Sequence, residues 1–184
     1  MERSRFLLSG SGGQGVITMA ILLAEAAALH EGRIAVQSQS YGPEARGGAT
    51  RSDVIISDSP IFFPKVTQPN VLVALTAEAG NKYAPFLRPG GLYVYDTAFL
   101  RPRRNVDAEL RGLGMHEAVM ATTGKAQTYN ICVLGVLCAL TGAVSPASVR
   151  KSLDRRFPEQ FHSANNAALD LGVELARTLT KRAV

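Results

Sequence analysis

Cysteine is nearly absent from this 184-residue chain, which has two. Cys132 and Cys138 both lie in the apolar run 131–140, at a spacing that matches neither a CxxC pair nor a zinc or iron–sulfur pattern. They read as small buried hydrophobes, so the electron carriers of any redox reaction lie elsewhere. Histidine is as sparse: His30, His116 and His162 are scattered, with no motif around them. No serine stands in a G-x-S-x-G setting, and the carboxylates show no metal-ligand spacing. These absences disfavour a self-contained enzyme and favour a binding or cofactor-positioning role. No apolar stretch reaches the roughly 20 residues a membrane span needs. No positively flanked apolar leader opens the sequence either, so a cytoplasmic location without membrane contact is the expectation. Repeats, low-complexity tracts and composition breaks are also lacking. One domain over 1–184 is expected, of a size that can bury a full core.

The net charge of +5 is spread rather than concentrated. Its denser groups are Arg101-Pro102-Arg103-Arg104 and Arg150, Lys151, Arg155 and Arg156. Few aromatics interleave with them, which argues for solvated surface and against a nucleic-acid stripe. The alternative use of such a cluster is docking on an acidic protein or an anionic cofactor.

What is present in quantity is glycine in two loops. Gly10-Ser11-Gly12-Gly13-Gln14-Gly15 follows the apolar run Phe6-Leu7-Leu8 and satisfies GxGxxG. A strand entering such a turn, which then opens a helix, aims free N–H groups and a positive dipole end at an anion. The second loop, Tyr41-Gly42-Pro43-Glu44-Ala45-Arg46-Gly47-Gly48, runs on to Arg51. It places Glu44, Arg46 and Arg51 on the expected C-terminal edge of a parallel sheet, where open α/β sheets bind ligands. Arg46 suits a bidentate grip on phosphate, with Glu44 holding its guanidinium or accepting from a partner. A dinucleotide fold also wants a carboxylate at the end of its second strand, and Val36-Gln37-Ser38-Gln39-Ser40 has none.

Strands are expected over 5–9, 33–39, 52–56, 71–75 and 92–95, with 115–120 as a further strand. Helices are expected over 16–30, 77–87, 129–140 and 163–180, and another starts at Ser145-Pro146 with serine as N-cap. Gly32 is a natural helix stop. The first strand, helix and second strand make a βαβ unit, which implies parallel strands and a right-handed crossover. The fold class is α/β: a single three-layer domain with a mostly parallel, Rossmann-like sheet and a helical C-terminal third.

Taken together, the two loops, running on to Arg51-Ser52-Asp53, resemble the gamma subunit of the 2-oxoacid:ferredoxin oxidoreductases, of the 2-oxoglutarate or 2-oxoisovalerate type. Pro69-Asn70-Val71, Glu78, Tyr83, Gly90-Gly91, the stretch 130–142, and Asn165 with Ala168-Leu169 agree with it. At position 70 the resemblance leads one to expect Asp, and the chain has Asn.

The resemblance implies a complex that oxidatively decarboxylates a 2-oxoacid, passes electrons to ferredoxin and forms an acyl-CoA. Thiamine diphosphate and iron–sulfur clusters would reside in partner subunits: alpha, beta and, as an open alternative, delta. This chain would help bind coenzyme A and assemble the complex, and would hold no cofactor tightly by itself. The site residues so implied are Gly10, Gly12, Gly13, Gln14, Gly15, Tyr41, Glu44, Arg46, Gly47 and Gly48. Asn130 is either a polar contact near that site or a helix-starting asparagine. Two competing readings are a stand-alone NAD(P)-binding reductase and a non-catalytic adaptor with a Rossmann-like core.

Overall fold

The computed structural model describes residues 3–39, 48–102 and 106–182, with side chains up to 179. Six strands form one sheet in the order β2-β3-β1-β4-β5-β6. They are β1 (Ser4–Gly10), β2 (Ile34–Gln39), β3 (Thr50–Ser57), β4 (Val71–Ala74), β5 (Gly91–Asp96) and β6 (Ala108–Leu113). The helices are α1 (Val16–Glu25), α2 (Ala77–Tyr83), α3 (Met115–Thr123), α4 (Tyr129–Thr141), α5 (Pro146–Arg156) and α6 (His162–Arg182). A π-helical turn, Ala26–His30, extends α1, and Gly32 at φ +65° lets the chain leave it.

β1 pairs in parallel with β4, β4 with β5 and β5 with β6, whereas β3 is antiparallel to both β1 and β2. β1 and β2 therefore run the same way, as the βαβ reading required, but they are not neighbours, because β3 lies between them. The expected strand at 115–120 is instead α3, and β6 is a strand that the sequence reading missed. Met115 and Val119, one helical turn apart, are the buried residues of α3, and Gly124 at φ +67° closes it.

Alternation along β1 divides the core. Phe6 and Leu8 face α1, α4, α5 and α6, together with Val54, Ile56, Val71 and Val73. Leu7 faces the other way and packs with Leu72, Ala74, Ala79 and Tyr83 under α2. α4 is buried on every face from Tyr129 to Cys138, as expected of a helix with almost no polar residue. It packs against α6 through glycine. A Cβ on Gly172 would collide with the Cys132 carbonyl oxygen, and one on Gly135 with the Leu169 carbonyl oxygen. Ser145 caps α5 by accepting from Ser148 N, with Pro146 in the first turn.

Candidate functional site

β1 and β4 are adjacent and parallel, yet the helices that follow them lie on opposite faces of the sheet. The crevice at their C-terminal ends is thus a topological switch point, the place where open α/β sheets bind ligands. The glycine turn 10–15 sits there. Gln14 braces it: Gln14 Oε1 accepts from Ser11 N at 2.8 Å, and Gln14 Nε2 donates to the Leu75 carbonyl oxygen at 3.5 Å. That side chain lies across Gly10, where any Cβ would strike Gln14 Oε1. The amide of Gln14 thus spans from the turn to the end of β4.

Gly12 and Gly13 lie at the exposed outer end of the turn. Nothing stands within 4 Å of a Cβ built on either, and Gly13 has φ +87°. Gly15 is the N-cap of α1, with φ 70° and ψ 23°, and no side chain caps the helix. The Gly15 carbonyl accepts from Met19 N, so the amides of Val16, Ile17 and Thr18 have no acceptor within the helix. Asn130, at the start of α4, donates to the Gly15 carbonyl oxygen at 3.3 Å. A Cβ on Gly15 would lie 2.5 Å from Asn130 Nδ2. Asn130 thus stands in the first turn of α4 and touches the last residue of the glycine turn.

The second loop returns to the sheet beside the first. Ser9 Oγ donates to the Thr50 carbonyl oxygen at 2.7 Å, and Thr50 Oγ1 donates to the Gly10 carbonyl oxygen at 2.9 Å. Gly48 is a half-buried bend just before this seam. Tyr41, Glu44, Arg46 and Gly47 lie outside the described residues. Arg51 is drawn into the base of the loop. Its guanidinium donates to both Asp53 carboxylate oxygens at 2.8 Å and lies over the Tyr83 ring at 5.5 Å from its centroid. Asp53 also accepts from Val66 N at 3.1 Å.

At the end of β5, Asp96 is fully buried and holds three donors: Ala98 N at 2.9 Å, His116 N at 2.8 Å and the Tyr129 hydroxyl at 2.8 Å. Burial, with the Asp96 charge beside it, pushes the Tyr129 hydroxyl far above its ordinary pKa. This carboxylate, one residue past the strand expected over 92–95, ties β5, α3 and α4 together. Among the described residues, no three His, Cys, Asp or Glu side chains gather as a metal site would require.

Residues 5–175 match the sequence profile of the pyruvate ferredoxin/flavodoxin oxidoreductases. The chain belongs to this family. The 2-oxoglutarate synthase subunit KorC of Methanocaldococcus jannaschii is 38% identical over 179 residues, covering 96% of each chain. The ketoisovalerate oxidoreductase subunit VorA of Methanothermobacter marburgensis is 34% identical over 178 residues, covering 94% of this chain and 36% of that protein. Among solved structures, the keto/oxoacid ferredoxin oxidoreductase gamma subunit of Geobacter sulfurreducens superposes with a TM-score of 0.89 at 38% identity, covering 97% of this chain and 98% of that one. A chain of the 2-oxoglutarate:ferredoxin oxidoreductase of Magnetococcus marinus, solved with 2-oxoglutarate, coenzyme A and succinyl-CoA bound, has the same fold. Its TM-score is 0.86 at 22% identity, with 97% of this chain and 32% of that one covered.

The gamma-subunit resemblance and the α/β fold class are borne out. Asn70, the departure noted above, has a place in the family fold: its Oδ1 accepts from Arg5 N at 3.0 Å, tying the entry of β4 to β1. The side chain serves here as an acceptor, which Asn supplies as Asp would.

Proposed function

We propose that this chain is the coenzyme A-binding gamma subunit of a 2-oxoglutarate-type 2-oxoacid:ferredoxin oxidoreductase. The observation that carries the reading is the uncapped start of α1, opening from the exposed Gly12-Gly13 turn at the switch point of a family fold. Three amides without an acceptor inside the helix, and the helix dipole, suit the coenzyme A diphosphate. Arg46 and Glu44, in the loop that returns beside Gly10, are assigned to a phosphate or a subunit contact. Gly12 and Gly13 let backbone approach the ligand, while Gln14 and Gly15 hold the turn in shape.

In this reading thiamine diphosphate and iron–sulfur clusters in alpha and beta subunits, with delta as the open alternative, supply the decarboxylation and electron transfer to ferredoxin. The part left to this chain is to bind the nucleotide end of coenzyme A and to present its thiol arm to those subunits. A cytoplasmic complex is the setting this implies. The NAD(P) reductase reading has the end of β2 against it. No carboxylate stands there, and Gln37 and Ser38 are engaged with Ser52 and the Pro64 carbonyl at 2.8 and 3.0 Å.

Calorimetric titration of the chain with coenzyme A tests the reading. Gly12→Ala and Arg46→Ala should each weaken binding by about tenfold, the loss of one charge-assisted or backbone contact. Unchanged affinity and unchanged complex formation in both variants would overturn the assignment.

A further inference from the structure

β6 is the last strand of the sheet, paired with β5 through every one of its residues and, among the described residues, with no strand on its other side. An open edge of this kind presents backbone donors and acceptors to any strand that fits it. The side chains of β6 alternate between the two faces. Leu110 pairs with Tyr93 on the α2 face and is 40% exposed, a large apolar group in the middle of a sheet edge. Next to it Tyr95 lays its ring across Gly112, where a Cβ would strike that ring. On the other face Glu109 and Arg111 stand two residues apart and form an ion pair. Arg111 still keeps its Nε without an acceptor among the described residues.

Charge on an edge strand ordinarily keeps copies apart. The sign pattern of β6 does the reverse in one register. Hydrogen-bonded and non-hydrogen-bonded pairs alternate along an antiparallel ladder, so two strands related by a two-fold axis must pair about a residue that faces its own copy. Centred on Glu109, that arrangement sets carboxylate against carboxylate, and centred on Arg111 it sets guanidinium against guanidinium. Centred on Leu110, it brings Glu109 of each copy opposite Arg111 of the other, a stabilising cross-strand pair made twice. The four charges then form one network, with a second carboxylate available to each Arg111. On the α2 face Leu110 meets Leu110, and Ala108 of one copy comes opposite Gly112 of the other, beside the Tyr95 ring.

We propose that β6 is a docking edge for a second copy of this chain, joined antiparallel about Leu110 so that two six-stranded sheets become one. Charge complementarity names the occupant, because the pattern completes itself only between identical strands in this register. The inference does not rest on the coenzyme A reading, since β4 and β5 separate this edge from β1 and its glycine turn. Two short strands and their neighbouring side chains make a small interface, so the dimer is reversible, with a dissociation constant on the order of 10 μM.

Sedimentation velocity on the full chain from about 1 to 200 μM tests this, with circular dichroism and thermal melts showing that each variant is folded. The unaltered chain should pass from monomer to dimer across the range. Glu109→Arg and Arg111→Glu each set like charges across the junction and should weaken association at least tenfold. Mixing the two variants in equal amounts, or combining both substitutions in one chain, puts opposite charges face to face again and should restore the dimer. Under mild oxidation Leu110→Cys should form a disulfide-linked dimer, while Glu109→Cys, which faces residue 111 of the other copy, should not. An unaltered chain that stays monomeric at the top of the range would overturn the inference. So would a dimer indifferent to Glu109→Arg and Arg111→Glu. A combined variant that stays monomeric, or equal cross-linking at 109 and 110, would overturn the register. Amide exchange in β6 slowed by the partner subunits and not by the chain's own concentration would give the edge to another subunit and overturn the second copy as its occupant.

Discussion

Gly15 meets two demands that no other residue type satisfies together. Its φ of +70° lies in the left-handed region, and Asn130 leaves no room for a Cβ. Gly15→Ala should therefore destabilise the chain by about 1–3 kcal/mol, from backbone strain before any clash is counted. Gly12 has open space around it, so Gly12→Ala should leave the melting temperature within a degree or so while weakening coenzyme A binding. Paired thermal melts separate the two glycines, and a large loss of stability in Gly12→Ala would contradict their assigned roles. The cysteines make a second residue-scale prediction. Burial foremost pushes Cys132 and Cys138 from an ordinary 9.0 up to about 12. A thiol pKa raised by folding stabilises the native state fully below about pH 9, and that contribution is lost as pH climbs towards 12. Alkylation at pH 8 should leave both thiols unmodified in the native chain while the denatured chain reacts fully. Native reaction at the denatured rate would contradict their placement in α4.

At the scale of elements, the α4–α6 pair is the tightest contact in the fold. Gly135 and Gly172 let the two helices approach until each backbone nearly touches the other. Gly172→Ala should cost about 1–3 kcal/mol or more from overpacking, despite the better helix propensity of alanine. Chemical denaturation measures this, and a stabilised variant would show that the helices do not approach so closely. α4 was legible in the sequence because a helix buried all round needs no periodicity to betray it. α3 was not: Met115 to Met120 is short and apolar enough to pass for a strand, and only the Met115–Val119 spacing marks its single buried stripe. β6 was missed because just Leu113, at its end, is buried. A half-exposed edge strand carrying Glu109 and Arg111 has little hydrophobic pattern to read.

At the scale of the molecule, the sequence foretold the class of fold and the edge of the sheet where the loops gather, but not the pairing order. Nothing local in Thr50–Ser57 says that this strand inserts, reversed, between β1 and β2. The seam is held where β3 begins, by the hydrogen bonds that join Thr50 to Ser9 and Gly10. The consequence is functional, because the reversal brings the end of the second loop against the start of the first. Of the described residues singled out beforehand, Gly10, Gly12, Gly13, Gln14 and Gly15 form one turn with Gly48 just before the seam beside it, whereas Arg51 is turned inward to Asp53. Such an inward turn is invisible in a sequence, where Arg46 and Arg51 look alike. The account as a whole predicts a subunit that acts at acyl transfer. The measurement that tests it most directly is 2-oxoglutarate-dependent viologen reduction by the partner subunits, assayed with and without this chain and with and without coenzyme A. Turnover that requires both is the predicted result, and full coenzyme A-dependent turnover without the chain would contradict it.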